Sequence, residues 1–178
     1  MEVDGIQDEP MTLEQRAEAL GLQRVDLAKF KLKLAKMNLR LNDVGADGNC
    51  FFRAVADQLF GYEIFHIRLR REVVEHMRNN KDKYSLFIED DIDFDKYLNY
   101  MSTDGIWGGQ LEMSVLAELH NFNVIVYQID FEDMAQEFHP WDTKDLKTIH
   151  LSYHQGRHYN SVRSMSDPGR GPAIDFPI

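Results

Sequence analysis

Cys50 is the only cysteine among 178 residues, and it stands in the run Asp47-Gly48-Asn49-Cys50-Phe51-Phe52-Arg53-Ala54. Asp-Gly is turn chemistry and Asn49 is a natural helix N-cap, so Cys50 falls in the first turn of the apolar helix pattern that follows. A thiol there faces unpaired backbone N–H groups and the positive end of the helix dipole, and both favour thiolate. Gly48 gives the turn freedom to aim backbone N–H groups at a developing oxyanion. A lone cysteine is more often a small buried hydrophobe. The turn, the cap and the helix together argue instead for a nucleophile.

Such a nucleophile needs a base. The histidines are His66, His76, His120, His139, His150, His154 and His158. The first three fall on polar faces of helical patterns and are expected in solvent. His139 sits in a loop beside Pro140, His150 on the outward side of a strand, and His154 next to a turn. His158 opens His158-Tyr159-Asn160. Residues two apart on a strand share a face, so Asn160 can hold the imidazole from behind and fix its tautomer. The pattern points to acyl transfer by Cys50 with His158 as general base and acid. It calls for no metal and no cofactor.

A third segment, Gly105-Ile106-Trp107-Gly108-Gly109, precedes another helix pattern. Two readings stand side by side: a channel wall that an extended peptide can approach closely, or a helix entry anchored by the indole.

These residues must be held by a framework, and periodicity supplies one. Leu13 to Met37 is helical in composition, with a break expected near Gly21. Cys50 to Phe60 carries the ridges Phe51/Val55/Leu59 and Phe52/Ala56/Phe60, a helix buried on a broad face. Ile64 to Asn79 and Gln110 to His120 are further amphipathic helices. Leu39 to Val44, Asn123 to Ile129, Lys147 to Tyr153 and His158 to Arg163 read as strands, the last two joined at Gln155-Gly156. The fold class is therefore α/β, or α+β by the stricter definition, with helices around a small mixed β-sheet. Residues 1–11 are expected to be a flexible N-terminus. The folded unit is expected over 12–165, with a helical extension at 12–38. The turn residues Asp167-Pro168-Gly169 and Gly171-Pro172 mark 166–178 as a flexible C-terminal tail.

The net charge is −10, which argues against nucleic-acid binding through the phosphate backbone. No apolar stretch approaches bilayer length, so no membrane association is expected. A single cysteine and a leader-free acidic start suggest the cytoplasm, with the nucleus also open. Basic residues dominate from Arg16 to Arg40, and Glu89, Asp90, Asp91, Asp93 and Asp95 form an acidic run. Each reads as a solvated face or as a docking surface.

Taken together, the Cys50 block, Trp107-Gly108-Gly109 with Glu112, Asn123-Val124-Ile125-Val126, and Ile149-His150-Leu151-Ser152-Tyr153 leading to His158-Tyr159-Asn160-Ser161-Val162 resemble the ovarian-tumour (OTU) family of cysteine deubiquitinases. The resemblance covers roughly residues 39–165 with the motifs in the family's order, and is nearest to the small enzymes with a single compact domain. It implies a papain-like cysteine protease core and hydrolysis of isopeptide bonds at the C-terminal glycine of ubiquitin through a Cys50 thioester, with backbone N–H groups of Gly48, Asn49 and Cys50 holding the oxyanion. It implies ubiquitin, polyubiquitin chains or ubiquitinated proteins as partners of a monomer. Trp107, Gly108, Gly109 and Glu112 would line the channel for ubiquitin's Gly-Gly tail, and Asp90 and Asp91 would attract the arginines before it. The family leaves Asp47 open as an active-site residue beside Asn160, of which Asn160 is the better placed to orient His158. The competing readings are an OTU-fold protease for a ubiquitin-like modifier, a non-catalytic ubiquitin-binding module, and a papain-like amidase for small substrates. Chain-linkage preference is not written in these motifs.

Overall fold

A computed structural model of the chain describes residues 12–89, 91–128, 135–138, 146–154 and 156–176. The expected N-terminal arm at 1–11, together with Asp90 and His139, lies outside them. The first element is helix α1, Leu13–Lys36. A reciprocal capping box starts it: the Gln15 N–H donates to Thr12 Oγ1 at 3.2 Å, and the Thr12 N–H donates to Gln15 Oε1 at 2.9 Å. The helix runs through Gly21 without the expected break. Nothing packs within 4 Å of the position a Cβ would take there, so the only penalty is glycine's intrinsic one, about 1 kcal/mol.

Strand β1 (Leu39–Asn42) follows, then helix α2 (Cys50–Phe60), helix α3 (His66–Asn79) and the single turn α4 (Lys81–Tyr84). Helix α5 (Phe94–Met101) is one that the apolar periodicity did not announce; the Asp93 side chain caps it by accepting the Lys96 N–H at 2.9 Å. Helix α6 (Gln110–His120) leads into β2 (Phe122–Tyr127), β3 (Ala135–Phe138), β4 (Lys147–His154) and β5 (His158–Ser164).

The sheet order is β1-β5-β4-β2-β3. Only the β2–β4 pair is parallel, so the sheet is mixed, as its sequence predicts. One face packs on α2, α3 and α6 through Val124, Val126, Ile149 and Leu151. The other is covered by Phe30 and Leu34 of α1 over Ile125, Tyr127 and Val162, with Phe176 packed against the cluster. Covering both faces buries all of β2, which is why it reads as an apolar run rather than an alternation.

Burial corrects three expectations. His150 does not face solvent: it is buried between Tyr127 and Phe176, its ring stacked on Phe176 at 3.9 Å. The segment after 165 packs on the body rather than trailing from it. Arg163, fully buried, grips both Asp57 oxygens at 2.9 and 3.0 Å and Asp167 Oδ1 at 3.0 Å. Asp167 in turn accepts the N–H groups of Gly169 and Ile174 at 2.7 and 2.9 Å. The turn residues there serve a buried ion cluster. His66, expected in solvent, is also buried.

Candidate active site

The geometry begins at the turn before α2. Gly48 has φ +84, a left-handed conformation. A Cβ on it would lie 1.9 Å from the Gly105 carbonyl oxygen, so the cysteine loop and the Gly105–Gly109 loop meet backbone to backbone. Asp47 holds the turn by accepting the Asn49 N–H at 3.1 Å and Arg53 Nε at 3.0 Å. The bond to the Arg53 guanidinium keeps its carboxyl well below the usual carboxylate range, against a smaller opposing effect of burial. The Asn49 N–H is thereby occupied and leaves the expected oxyanion set. The N–H groups of Gly48 and Cys50 have no hydrogen-bond partner among the described residues.

Asn49 stands at the N-cap, but its side chain does not cap. Its Oδ1 accepts Arg70 Nη2 at 2.8 Å and the Gly105 N–H at 3.0 Å. Arg70, buried on α3, also donates to the carbonyls of Met101 (2.9 Å) and Ile106 (2.6 Å) and lies over the Phe52 ring at 4.4 Å. One guanidinium therefore ties together α3, the end of α5 and both loops of the site. The sequence carried a signal for it, because Arg70 falls between Ile67 and Val74 on an apolar ridge where a charge needs partners.

Cys50 is buried at the start of α2. Burial pushes its thiol up, but the hydrogen bond from His158, the backbone N–H groups of Tyr159 and Phe51, and the imidazolium charge together hold it below the ordinary thiol value. His158 moves the other way. Its bond to Cys50 raises it most, burial opposes, and the thiolate charge, Asn160 and Asp43 add to the rise. The two side chains thus favour a thiolate–imidazolium pair.

Asn160 lies behind the ring, with His158 Nε2 and Asn160 Oδ1 3.0 Å apart. The Val44 N–H donates to the same oxygen at 2.9 Å. A backbone N–H can only donate, so the amide orientation is fixed and Nδ2 points to Asp43 Oδ1, 3.0 Å away. His158 must then carry its proton on Nε2, which leaves Nδ1 for Cys50. Asp47 makes no contact of this kind with the imidazole; its bonds go to the loop and to Arg53.

A cleft of about 400 Å³ opens over the pair, lined by Gly48, Trp107, His154 and Arg157 beside Cys50 and His158. Trp107 is 61% exposed. The other residues of its loop are placed differently. Gly108 is buried, and a Cβ there would sit 2.5 Å from Phe51 and 2.9 Å from Phe52, so its lack of a side chain serves the packing of the loop on α2. Glu112 is 2% exposed and lies under the loop, accepting the Gly109 N–H at 2.7 Å and the Tyr97 hydroxyl at 2.5 Å. It braces that loop from beneath and is not among the residues lining the cleft. Asp91 is exposed, ahead of α5, and is not among the residues lining the cleft. Among the described residues no group of three or more His, Cys, Asp or Glu side chains is gathered as metal ligands would be.

Comparison with known proteins places this geometry. The family model described as OTU-like cysteine protease matches residues 45–159. The ovarian tumor domain-containing deubiquitinating enzyme 7 of Arabidopsis thaliana is 40% identical over 150 residues, 83% of this chain. The OTU domain-containing protein 3 of Mus musculus is 32% identical over 148 residues. The chain spans 39% and 37% of the lengths of these two relatives. Among solved structures, the OTU domain of OTUD1 superimposes with a TM-score of 0.74 at 23% identity, covering 81% of this chain and 98% of that one. An OTU domain in complex with ubiquitin has a TM-score of 0.56 at 22% identity, covering 74% and 77%. These likenesses show a papain-like fold.

Proposed function

Since the chain belongs to the OTU-like cysteine protease family, we propose that it is a deubiquitinase that hydrolyses isopeptide bonds at the C-terminal glycine of ubiquitin, with Cys50 as nucleophile, His158 as base and acid, and Asn160 orienting His158. The observation that carries this reading is that Cys50 and His158 meet in one cleft, with Asn160 Oδ1 3.0 Å from His158 Nε2.

The chemistry follows from the atoms in place. The Cys50 thiolate adds to the carbonyl carbon of ubiquitin's last glycine, and the oxyanion is met by the N–H groups of Gly48 and Cys50. His158, protonated, gives its Nδ1 proton to the departing lysine amine, and the C–N bond breaks to leave a Cys50 thioester. The neutral imidazole then takes a proton from water, whose oxygen attacks the thioester. The C–S bond breaks, ubiquitin leaves as a carboxylate, and the thiolate is restored. Trp107 walls the channel, Gly108 and Glu112 hold that wall in position, and Asp47 pins the cysteine loop.

The names of the Arabidopsis relative and of the ubiquitin complex support ubiquitin as the modifier. We take the catalytic unit as residues 12–165 with the segment packed behind it, and the working form as a monomer of the cytoplasm or nucleus acting on ubiquitin chains or ubiquitinated proteins. Turnover of ubiquitin carrying a C-terminal fluorogenic amide tests the reading. Wild type should release the fluorophore, Cys50→Ala should release none, and a short Gly-Gly amide should be a far poorer substrate. Equal cleavage of the short amide would point to a small-substrate amidase instead.

A further inference from the structure

The line of hydrogen bonds behind His158 does not end at Asn160. Asn160 is 2% exposed and both ends of its amide are used: Oδ1 by Val44 and His158, Nδ2 by Asp43 Oδ1 at 3.0 Å. The second oxygen of Asp43 accepts Lys31 Nζ of α1 at 3.3 Å. An unbroken set of side chains therefore joins α1 to the imidazole. Asp43 precedes the segment that the family model matches.

A neutral amide can fix the angle and tautomer of a histidine but brings no charge to offset the imidazolium. A carboxylate bonded to the far side of that amide can. It polarises the Nδ2–H groups of the buried amide and so enriches Oδ1, and linked hydrogen bonds reinforce one another; the Asp43 side chain is itself 63% exposed, so water screens its charge in part. Other charged or titratable groups also face His158. Cys50 comes from α2, His154 from β4 with its ring centroid 5.4 Å away, and Arg157 from the turn before β5, while Lys31 of α1 reaches it only through Asp43. Of these groups, Asp43 alone brings a negative charge that is not part of the reacting pair.

We propose that Asp43 is a positioning residue of the Cys50–His158 pair, supplying through Asn160 the negative charge that the third member lacks, with Lys31 holding Asp43 in place. This rests on the cysteine-hydrolase reading above.

Alkylation of Cys50 by iodoacetamide follows the pair with no ubiquitin present, and the single cysteine makes the signal unambiguous. The rate rises twice with pH, first as thiolate forms beside the imidazolium and again as the imidazolium loses its proton. Asp43→Asn keeps an acceptor for Asn160 and removes only the charge. It should move the upper rise to lower pH and reduce kcat/KM on a ubiquitin fluorogenic substrate about tenfold, mostly through kcat. In Asp43→Asn/Asn160→Asp the carboxylate and the amide change places. That double variant should return the upper rise to wild-type pH or above and recover kcat beyond either single variant. An unmoved upper rise in Asp43→Asn, or a double variant no better than Asn160→Asp alone, overturns the proposal. A wild-type chain that shows both rises yet leaves ubiquitin uncut overturns the substrate reading and not this one.

Discussion

Asn49 occupies the N-cap of the helix that begins with Cys50, yet its side-chain oxygen turns away from that helix to accept the buried Arg70 guanidinium at 2.8 Å. The same oxygen accepts the Gly105 N–H, so one amide and one guanidinium hold both walls of the cleft. Arg70→Ala would leave Asn49 and the carbonyls of Met101 and Ile106 short of a donor in a dry site. It should destabilise the fold by about 3 kcal/mol, read by denaturant unfolding. Arg70→Lys keeps the charge but cannot span three acceptors. It should unfold nearer to wild type while kcat/KM falls about tenfold or more.

Gly48→Ala tests the contact between the two loops. The new Cβ would collide with the Gly105 carbonyl, and alanine resists the positive φ. The loops must part, displacing the Cys50 backbone and Trp107 together. Turnover should fall by about 100-fold or more, with the change in melting temperature too small to account for it.

The pH profile follows from two opposite shifts. The Cys50 thiol titrates below its ordinary value and His158 above its own. The shifts bring the two titrations towards each other, and the reactive form is the one in which both groups are charged. The acid limb of kcat/KM should therefore lie below an unperturbed thiol's titration, and the alkaline limb above that of a free imidazole. Because the bond to Cys50 is the largest cause of the rise in His158, Cys50→Ala should lower the titration of the His158 ring seen by NMR.

Stability should fall on mild acidification through the buried histidines. Burial pushes His150 from 6.5 down to about 4. The unfolded chain therefore binds a proton at this residue between those values while the folded chain does not, so stability is full above about pH 6.5 and is lost as pH falls towards 4. This one residue is worth up to about 3 kcal/mol over that window. His150→Phe preserves the stacking on Phe176 and should flatten the fall of melting temperature between pH 7 and 5. A slope equal to wild type would show that His150 does not contribute.

The parts of the site that lie close together in sequence were legible there. Gly48 and Cys50 share one turn, and His158 and Asn160 share one strand face, so spacing alone juxtaposes them. What spacing cannot give is what stands behind them. Asp43 meets Asn160 across 117 positions and Asn49 meets Arg70 across 21, contacts that only the folded chain creates. Asn49 fits a cap by type and position, but a stronger buried donor, Arg70, takes its side-chain oxygen. Alternation puts His150 on a wet face because it reports one covered side, whereas α1 and Phe176 cover the other. The Asp167 turn was recognised as a turn, but its partner Arg163 was invisible as a partner until β5 joined the sheet.

In the proposed mechanism Cys50 attacks the carbonyl end of ubiquitin with the help of His158. Incubation with a ubiquitin probe bearing a C-terminal electrophile, read by intact mass and peptide mapping, tests it most directly. One adduct on Cys50 is predicted, absent in Cys50→Ala and slowed about 100-fold or more in His158→Ala. Ubiquitin that binds without forming the adduct, or an adduct that survives Cys50→Ala, would contradict it.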